Sequence, residues 1–256
     1  MKSVEESAVV ALDGTDIGIY PFLPYILQDL WEIGSDPVMI IKAIEKHMCQ
    51  SSTLDILDLG CGKGAVSIRI AERLHCRCLG IDAIKKFIQE ANNKASEYDV
   101  ANLCTFEVAD IRIRINTLAS FDVVVLGSIG PVFGNYYSTL TSLSKILKHG
   151  GIIILDDGYI LPDSDYVHPQ IMRKDAVLKQ INDAGMNLID ELFIQKDDIK
   201  SSDDFIFDKI ENRCKELIQK YPDKRHIFKE YIRKQIEEND VLENRIICST
   251  MVIKRQ

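Results

Sequence analysis

The residues Asp58-Leu59-Gly60-Cys61-Gly62-Lys63-Gly64 stand at the join between an apolar run, 54–59, and an amphipathic stretch, 66–74. Glycines at alternate positions let the backbone turn tightly and approach a ligand where side chains would collide. A strand that runs through such a loop into a helix belongs to an open α/β sheet, whose ligands sit at the carboxyl edge of the strands.

From Thr53 onward, short apolar runs alternate with amphipathic stretches. Residues 54–59 read as a strand and 66–74 as the helix after it; 78–81 is a second strand, followed by a helix over 85–98. A third strand covers 103–108, and 121–126 is almost wholly apolar, as a centre strand covered on both faces must be. Residues 140–147 read as helical, and Gly150-Gly151 stops that helix before a fifth strand over 152–155. A helix over 170–184, closed by Gly185, leads to a strand at 188–194, and the last strand covers 245–253. This alternation predicts a doubly wound α/β fold with a mostly parallel, seven-stranded sheet.

Two regions fall outside the alternation. One is the N-terminal segment, 1–52, with Tyr20, Phe22, Tyr25 and Trp31 ahead of a helix that starts near Asp36-Pro37. The other, 198–242, carries apolar residues at helical spacing on both sides of a break at Pro222-Asp223, a helical hairpin inserted before the last strand. The core is then 53–197, completed by a last strand within 243–256.

Charge and composition narrow the function. With 31 basic against 39 acidic residues the net charge is −8, and the basic residues lie scattered among acids, as in Asp223-Lys224-Arg225. That works against a nucleic-acid partner, whose affinity rests on Lys and Arg neutralising phosphates. The apolar runs are too short to cross a bilayer, and residues 1–12 have no signal-peptide core, so no membrane association and a cytoplasmic location are expected. The seven cysteines form no CxxC pair and read as buried free thiols; no metal site is expected from them.

The loop itself separates ligand classes. A nucleotide-triphosphate loop requires GxxxxGK followed by Ser or Thr, which is missing, and a dinucleotide loop requires GxGxxG where this chain has GxGxG. Asp58, just ahead of the glycines, would repel pyrophosphate and favour a cationic group such as the amine of a methionyl moiety.

In this setting 57–64 resembles motif I of the class I (Rossmann-like) S-adenosylmethionine-dependent methyltransferases, and the likeness follows the family's order from about 54 to 157. The resemblance implies S-adenosylmethionine as cofactor, an antiparallel last strand, and a cofactor loop of Asp58, Gly60, Cys61, Gly62 and Gly64. Asp82, followed by Ala83, sits where the family places an acid that hydrogen-bonds both ribose hydroxyls. Ala109-Asp110-Ile111 matches the residues that contact adenine, and Gly127 and Ser128 match the segment lining the methionyl side. The plain alternative for Asp82 and Asp110 is to cap the structure that follows each. Cys61 is expected to fill space between glycines, and Lys63 to point to solvent.

The acceptor is not readable from the loop, but some subclasses are disfavoured. Gly127-Ser128-Ile129-Gly130-Pro131 departs from the signature of amino-methyltransferases acting on adenine or glutamine, and no Pro-Cys dipeptide marks a cytosine-carbon enzyme. A small-molecule acceptor remains. Candidate catalytic residues are Asp157 and His168, the latter because a histidine's near-neutral pKa suits a general base. Tyr20, Tyr25, Asp156 and Tyr159 are expected around the substrate, with the N-terminal aromatics and the hairpin covering the pocket. An apolar helical face serves a homodimer equally well. Asp156-Asp157 resembles the metal-binding pair of catechol-type O-methyltransferases, but Gly127-Ser128 lacks the further acid those enzymes use. A metal-assisted enzyme and a cofactor-binding subunit without turnover are the alternatives.

Overall fold

The computed structural model describes residues 2–48 and 53–256. The expected boundary at 52 and Cys49 lie outside the described residues. Among the described residues the strands are β1 (Asp55–Leu59), β2 (Arg77–Asp82), β3 (Cys104–Val108), β4 (Phe121–Gly127), β5 (Leu147–Tyr159), β6 (Met186–Phe193) and β7 (Ile247–Arg255). They form one sheet in the order β3-β2-β1-β4-β5-β7-β6. The pairings from β3 across to β5 are parallel, and β7 lies antiparallel between β5 and β6. This is the architecture the alternation and the resemblance predict.

The sheet is covered on both faces because side chains alternate along each strand. Val123 and Val125 of β4 point with Ile56, Ile152 and Ile154 toward α3 (Pro37–His47) and α4 (Ala65–Leu74), meeting Ile40, Ile44, Ile68 and Ala71. Val124 and Leu126 point the other way with Leu57, Ile153 and Leu155, toward α7 (Tyr136–Ser144) and α8 (Lys174–Asp183). Helix starts follow local chemistry: Asp36 accepts from Val38 N–H at 2.8 Å with Pro37 in the first turn, and Asn135 accepts from Ser138 N–H at 2.9 Å.

One boundary differs from the sequence expectation. Helix α7 ends at Ser144, and β5 begins at Leu147, so Gly150 and Gly151 lie inside a strand rather than stopping a helix. Leu147 pairs with Phe121, but the register then jumps so that Ile152 pairs with Val123, leaving the four residues 148–151 opposite Asp122 alone at the amino end of β5. Lys148 holds this stretch by ion pairs to Asp55 at 2.7 Å and Asp122 at 2.8 Å. Those partners are distant in sequence, so local patterning does not reveal the strand.

The two regions outside the alternation meet each other. The N-terminal segment contains α1 (Val4–Ala11), a 3₁₀ turn (Ile17–Phe22) and α2 (Leu23–Ile26); the insertion folds as α9 (Lys196–Lys220) and α10 (Arg225–Asn244) around a 3₁₀ turn at Pro222–Lys224. Ile19, Leu23, Ile26 and Leu30 pack against Ile210, Cys214 and Leu217 of α9 and Phe228 and Tyr231 of α10, forming a third apolar core. Ile84 and Phe87, at the start of α5 (Lys85–Glu97), belong to it too. At about 2 kcal/mol per fully buried large side chain, this core outweighs the exposed ion pairs of the same region, such as Arg213–Asp29, worth about 0–1 kcal/mol each. The apolar faces of the hairpin are therefore largely covered within the chain. The six cysteines among the described residues are free thiols.

Candidate cofactor site

β1 ends beneath the glycine loop, which leans on β2: Gly60 N–H and Cys61 N–H both donate to the Ile81 carbonyl, at 2.8 and 3.1 Å. Gly62, at φ +52°, faces open space, since a Cβ there would meet nothing within 4 Å. Gly64 caps α4 at φ +76°, where a Cβ would lie 2.8 Å from the Phe106 ring. One glycine is thus open to a ligand, and another lets helix and strand pack closely. Cys61 is buried, and burial together with the Asp58 and Asp82 carboxylates pushes its thiol well above the usual range, so it is an inert filler.

Asp58 is buried and accepts from Ser67 Oγ at 2.6 Å; burial, with the Asp82 charge adding, pushes its carboxyl up to about 6 against the Ser67 hydrogen bond. One strand over, half-buried Asp82 accepts from Gly62 N–H at 3.0 Å through Oδ2 and from Ile84 N–H at 2.8 Å through Oδ1. Burial also raises its pKa, opposed by those backbone donors. Ala83 continues the chain beside it, and Ala109 N–H donates to the Asp82 carbonyl at 3.0 Å. Asp110 caps α6 (Ile111–Arg114) through Arg112 N–H, and the Arg112 guanidinium grips both its oxygens at 2.8–3.1 Å, holding its carboxyl below the usual range. Arg112 also reaches Ser7 Oγ at 3.0 Å, so Asp110 is tied to the N-terminal segment. The buried side chain of Ile111 completes this corner.

At the end of β4, Gly127 lies so close to the N-terminal segment that a Cβ would fall 2.2 Å from Ser35 Oγ. Ser128 adopts φ +50°, its N–H bonded to the Asp156 carbonyl at 2.9 Å. Ser35 Oγ donates to Ser128 Oγ at 3.2 Å, and Thr250 Oγ1 donates to buried Asp156 at 2.9 Å. Asp157 is the next residue on the strand, so its carboxylate leaves on the opposite face. There it accepts from Tyr136 OH at 2.8 Å and from Gly158 N–H at 2.7 Å, and the surrounding protein pushes its pKa up. The two acids therefore do not share one site, and no cluster of three or more metal-binding side chains occurs among the described residues.

Other expected site residues are dispersed. Tyr20 lies near enough to Asp82 that the carboxylate adds to burial in raising its pKa. Tyr25 points outward, its hydroxyl donating to Glu216 at 2.5 Å beneath the Arg213 guanidinium. Tyr159 is buried and donates to Glu191 at 2.6 Å beside Lys174, facing β6 rather than the glycine loop. His168 spends Nδ1 accepting from Gln170 and Ile171 N–H at 3.3 and 3.2 Å, a pattern that assigns the proton of its neutral form to Nε2.

Sequence patterning missed Ile33 and Ser35 and misplaced Lys63, while Trp31 is one of the N-terminal aromatics expected over the pocket. Trp31, Ile33 and Ser35 line the same cleft as Asp58, Gly60 and Gly62, which holds about 400 Å³ of empty space open to solvent. Lys63, expected in solvent, is 2% exposed; its Nζ donates to the Leu27 carbonyl at 2.8 Å and pairs with Glu90 at 2.7 Å. The turn-forming Gly34-Ser35-Asp36-Pro37 marks the segment between α2 and α3 locally, but its contact with the glycine loop is long-range.

Comparison with known proteins agrees with this geometry. The profile described as a methyltransferase domain matches residues 50–205. A 2-heptyl-1-hydroxyquinolin-4(1H)-one methyltransferase of Mycobacteroides abscessus is 41% identical over 144 residues, 54% of this chain and 61% of that protein. A 27-O-demethylrifamycin SV methyltransferase of Amycolatopsis mediterranei is 32% identical over 108 residues, 42% and 39% of the two chains. The matched stretches thus span less than two thirds of either relative's length. A solved S-adenosylmethionine-dependent methyltransferase from Geobacter sulfurreducens, in complex with S-adenosyl-L-homocysteine, shares the fold with a TM-score of 0.73 at 15% identity, over 92% of this chain and 98% of that one. Sheet order and glycine-loop cleft define the class I, Rossmann-like S-adenosylmethionine-dependent methyltransferases. With the profile covering more than half of its length, the chain belongs to this methyltransferase-domain family.

Proposed function

We propose that the chain binds S-adenosylmethionine over the glycine loop and transfers its methyl group to a small-molecule acceptor held beneath the helical cap. The observation that carries this reading is the cleft in which the open face of Gly62 and the buried Asp58 converge with Gly127, with Asp82 one strand away. When bound, the cofactor supplies a methyl group already activated on a sulfonium, so the protein's task is alignment and exclusion of water.

Asp82 suits the ribose because each carboxylate oxygen accepts one backbone N–H and retains capacity for a hydroxyl. Asp58 suits the methionyl amine, and Ala109, Asp110 and Ile111 form the corner proposed for adenine. Of the two catalytic candidates, Asp157 is retained because each of its oxygens accepts one hydrogen bond and keeps capacity for another near the carboxyl end of β5, whereas the one basic nitrogen of His168 is engaged by its own loop. The acceptor class draws support from the two relatives named for small organic molecules, and the cofactor from the structural neighbour holding S-adenosyl-L-homocysteine. Among the described residues no helix is long and apolar enough to cross a membrane.

Calorimetric titration with S-adenosylmethionine, S-adenosylhomocysteine and NAD tests the cofactor, and S-adenosylhomocysteine release across a panel of hydroxylated and amine acceptors tests the reaction. NAD binding without S-adenosylmethionine binding overturns the reading. Binding without release from any acceptor would assign a cofactor-binding subunit instead.

A further inference from the structure

We propose that the strap joining α2 to α3 is part of the cofactor site itself, with Trp31 and Ser35 touching the methionyl half of the bound nucleoside; this rests on the cofactor reading above. Neither the glycine loop nor the family's motif order points to these residues. Three contacts lock the strap onto the glycine loop and the end of β4. Trp31 Nε1 donates to the Lys63 carbonyl at 3.1 Å. Lys63 Nζ returns a hydrogen bond to the Leu27 carbonyl at 2.8 Å, its charge paired with Glu90 on α5. At the other end, Ser35 Oγ donates to Ser128 Oγ and packs on Gly127.

Between these anchors Trp31, Ile33 and Ser35 line the same cleft as Asp58, Gly60 and Gly62. A ligand that fills this cleft against the open face of Gly62 is bounded by the strap residues as well as by the glycine loop. Trp31 is held in place from outside: Tyr98 stacks on it with ring centroids 5.0 Å apart, and the Arg69 guanidinium lies 4.9 Å from its centroid. The indole is thus preorganised where it lines the cleft, so a ligand meets it without an ordering cost. Ser35, 8% exposed, retains acceptor capacity beside its bond to Ser128 and suits a charged amino-acid terminus.

Trp31 is the chain's only tryptophan, so its fluorescence reports on the strap alone. S-adenosylhomocysteine is titrated into the wild-type protein with calorimetry and fluorescence read in parallel. Acrylamide quenching of Trp31 is expected to fall on binding. Ser35→Ala, with Ser35→Gly as a second variant should the first fold poorly, is expected to weaken calorimetric affinity about 3- to 10-fold, as loss of one neutral hydrogen bond does. Calorimetric binding with unchanged quenching, or wild-type affinity in a folded Ser35 variant, overturns the proposal. Absence of any calorimetric binding overturns the cofactor reading instead.

Discussion

Replacing Asp13 with Asn should stabilise the protein above neutral pH and leave it nearly unchanged in acid. Asp13 follows α1 at φ +59° and is directed at the cap helices, where Gln235 Nε2 donates to it at 3.4 Å. Burial and the carboxylates of Glu238 on α10 and Asp203 on α9 push its pKa from 3.8 to about 7, against the Gln235 hydrogen bond. The folded state therefore holds a proton that the unfolded chain releases. The contribution is fully present below pH 3.8, shrinks as pH rises, and is lost once pH passes about 7. A shift of about 3 units at about 1.4 kcal/mol each sets a ceiling near 4 kcal/mol, and partial exposure with solvent screening reduces it to about 2 kcal/mol.

Asn matches Asp in size, tolerates the left-handed backbone, and carries no charge. Its advantage over Asp should therefore grow by about 2 kcal/mol between pH 4.5 and 8, which is about 4–8 °C in melting temperature for a domain of this size. Calorimetric melts of both proteins at pH 4.5, 6 and 8 measure it, and subtracting the two removes titrations elsewhere in the chain. A difference that stays flat with pH, or a variant less stable than wild type at pH 8, refutes the reasoning.

Asp82→Ala is expected to weaken S-adenosylhomocysteine binding about 10- to 100-fold by calorimetry, the loss of hydrogen bonds to a charged acceptor. Asp58, with its pKa near 6, should make that affinity fall as pH drops through 6, because protonation removes the charge proposed to face the methionyl amine; Asp58→Asn should bind more weakly at pH 8 and lose the pH dependence. Gly80→Ala places a Cβ 2.6 Å from Phe106 and 2.9 Å from Cys61 Sγ. It should cost about 1–3 kcal/mol in chemical denaturation, with part recovered when Phe106 is shortened to Leu. Lys63→Met, matched in length but without the donor to Leu27, should speed amide hydrogen exchange in the strap more than in the sheet.

The fold was legible because its information is local. Apolar runs such as 121–126 declare buried strands, and Asp36-Pro37 and Gly64 punctuate helices with their own backbone chemistry. The glycine loop and Asp82 were readable for the same reason: a ligand approaching the backbone demands glycine, and the end of a strand is found by counting. What patterning could not give depends on partners far along the chain. Lys63 looks like a surface lysine until Leu27 and Glu90 are brought to it, and Lys148 to Gly151 look like a helix stop until Asp55 and Asp122 are. Tyr25 and Tyr159 are aromatic in suitable places, yet Glu216 and Glu191 draw their hydroxyls elsewhere.

The division between what the family match covers and what it omits has a physical counterpart. The profile ends at 205, so Ile210, Leu217, Phe228 and Tyr231 fall beyond it, and Ile19, Leu23 and Leu30 precede it. These residues build the cap core and are held to no rule by the glycine loop, since any close-packed apolar set of the right volume would serve. The cap is nonetheless bound to the cofactor machinery at two points. Ile84 and Phe87 enter its core within five residues of Asp82, and Lys63 joins the loop to both Leu27 and α5. A ligand that binds the folded loop alone adds to stability by mass action, and these contacts extend that gain to the residues of this core. On the proposed function, acceptor choice rests with the cap while the cofactor site stays fixed, and similarity confined to the sheet then names a reaction class and not an acceptor.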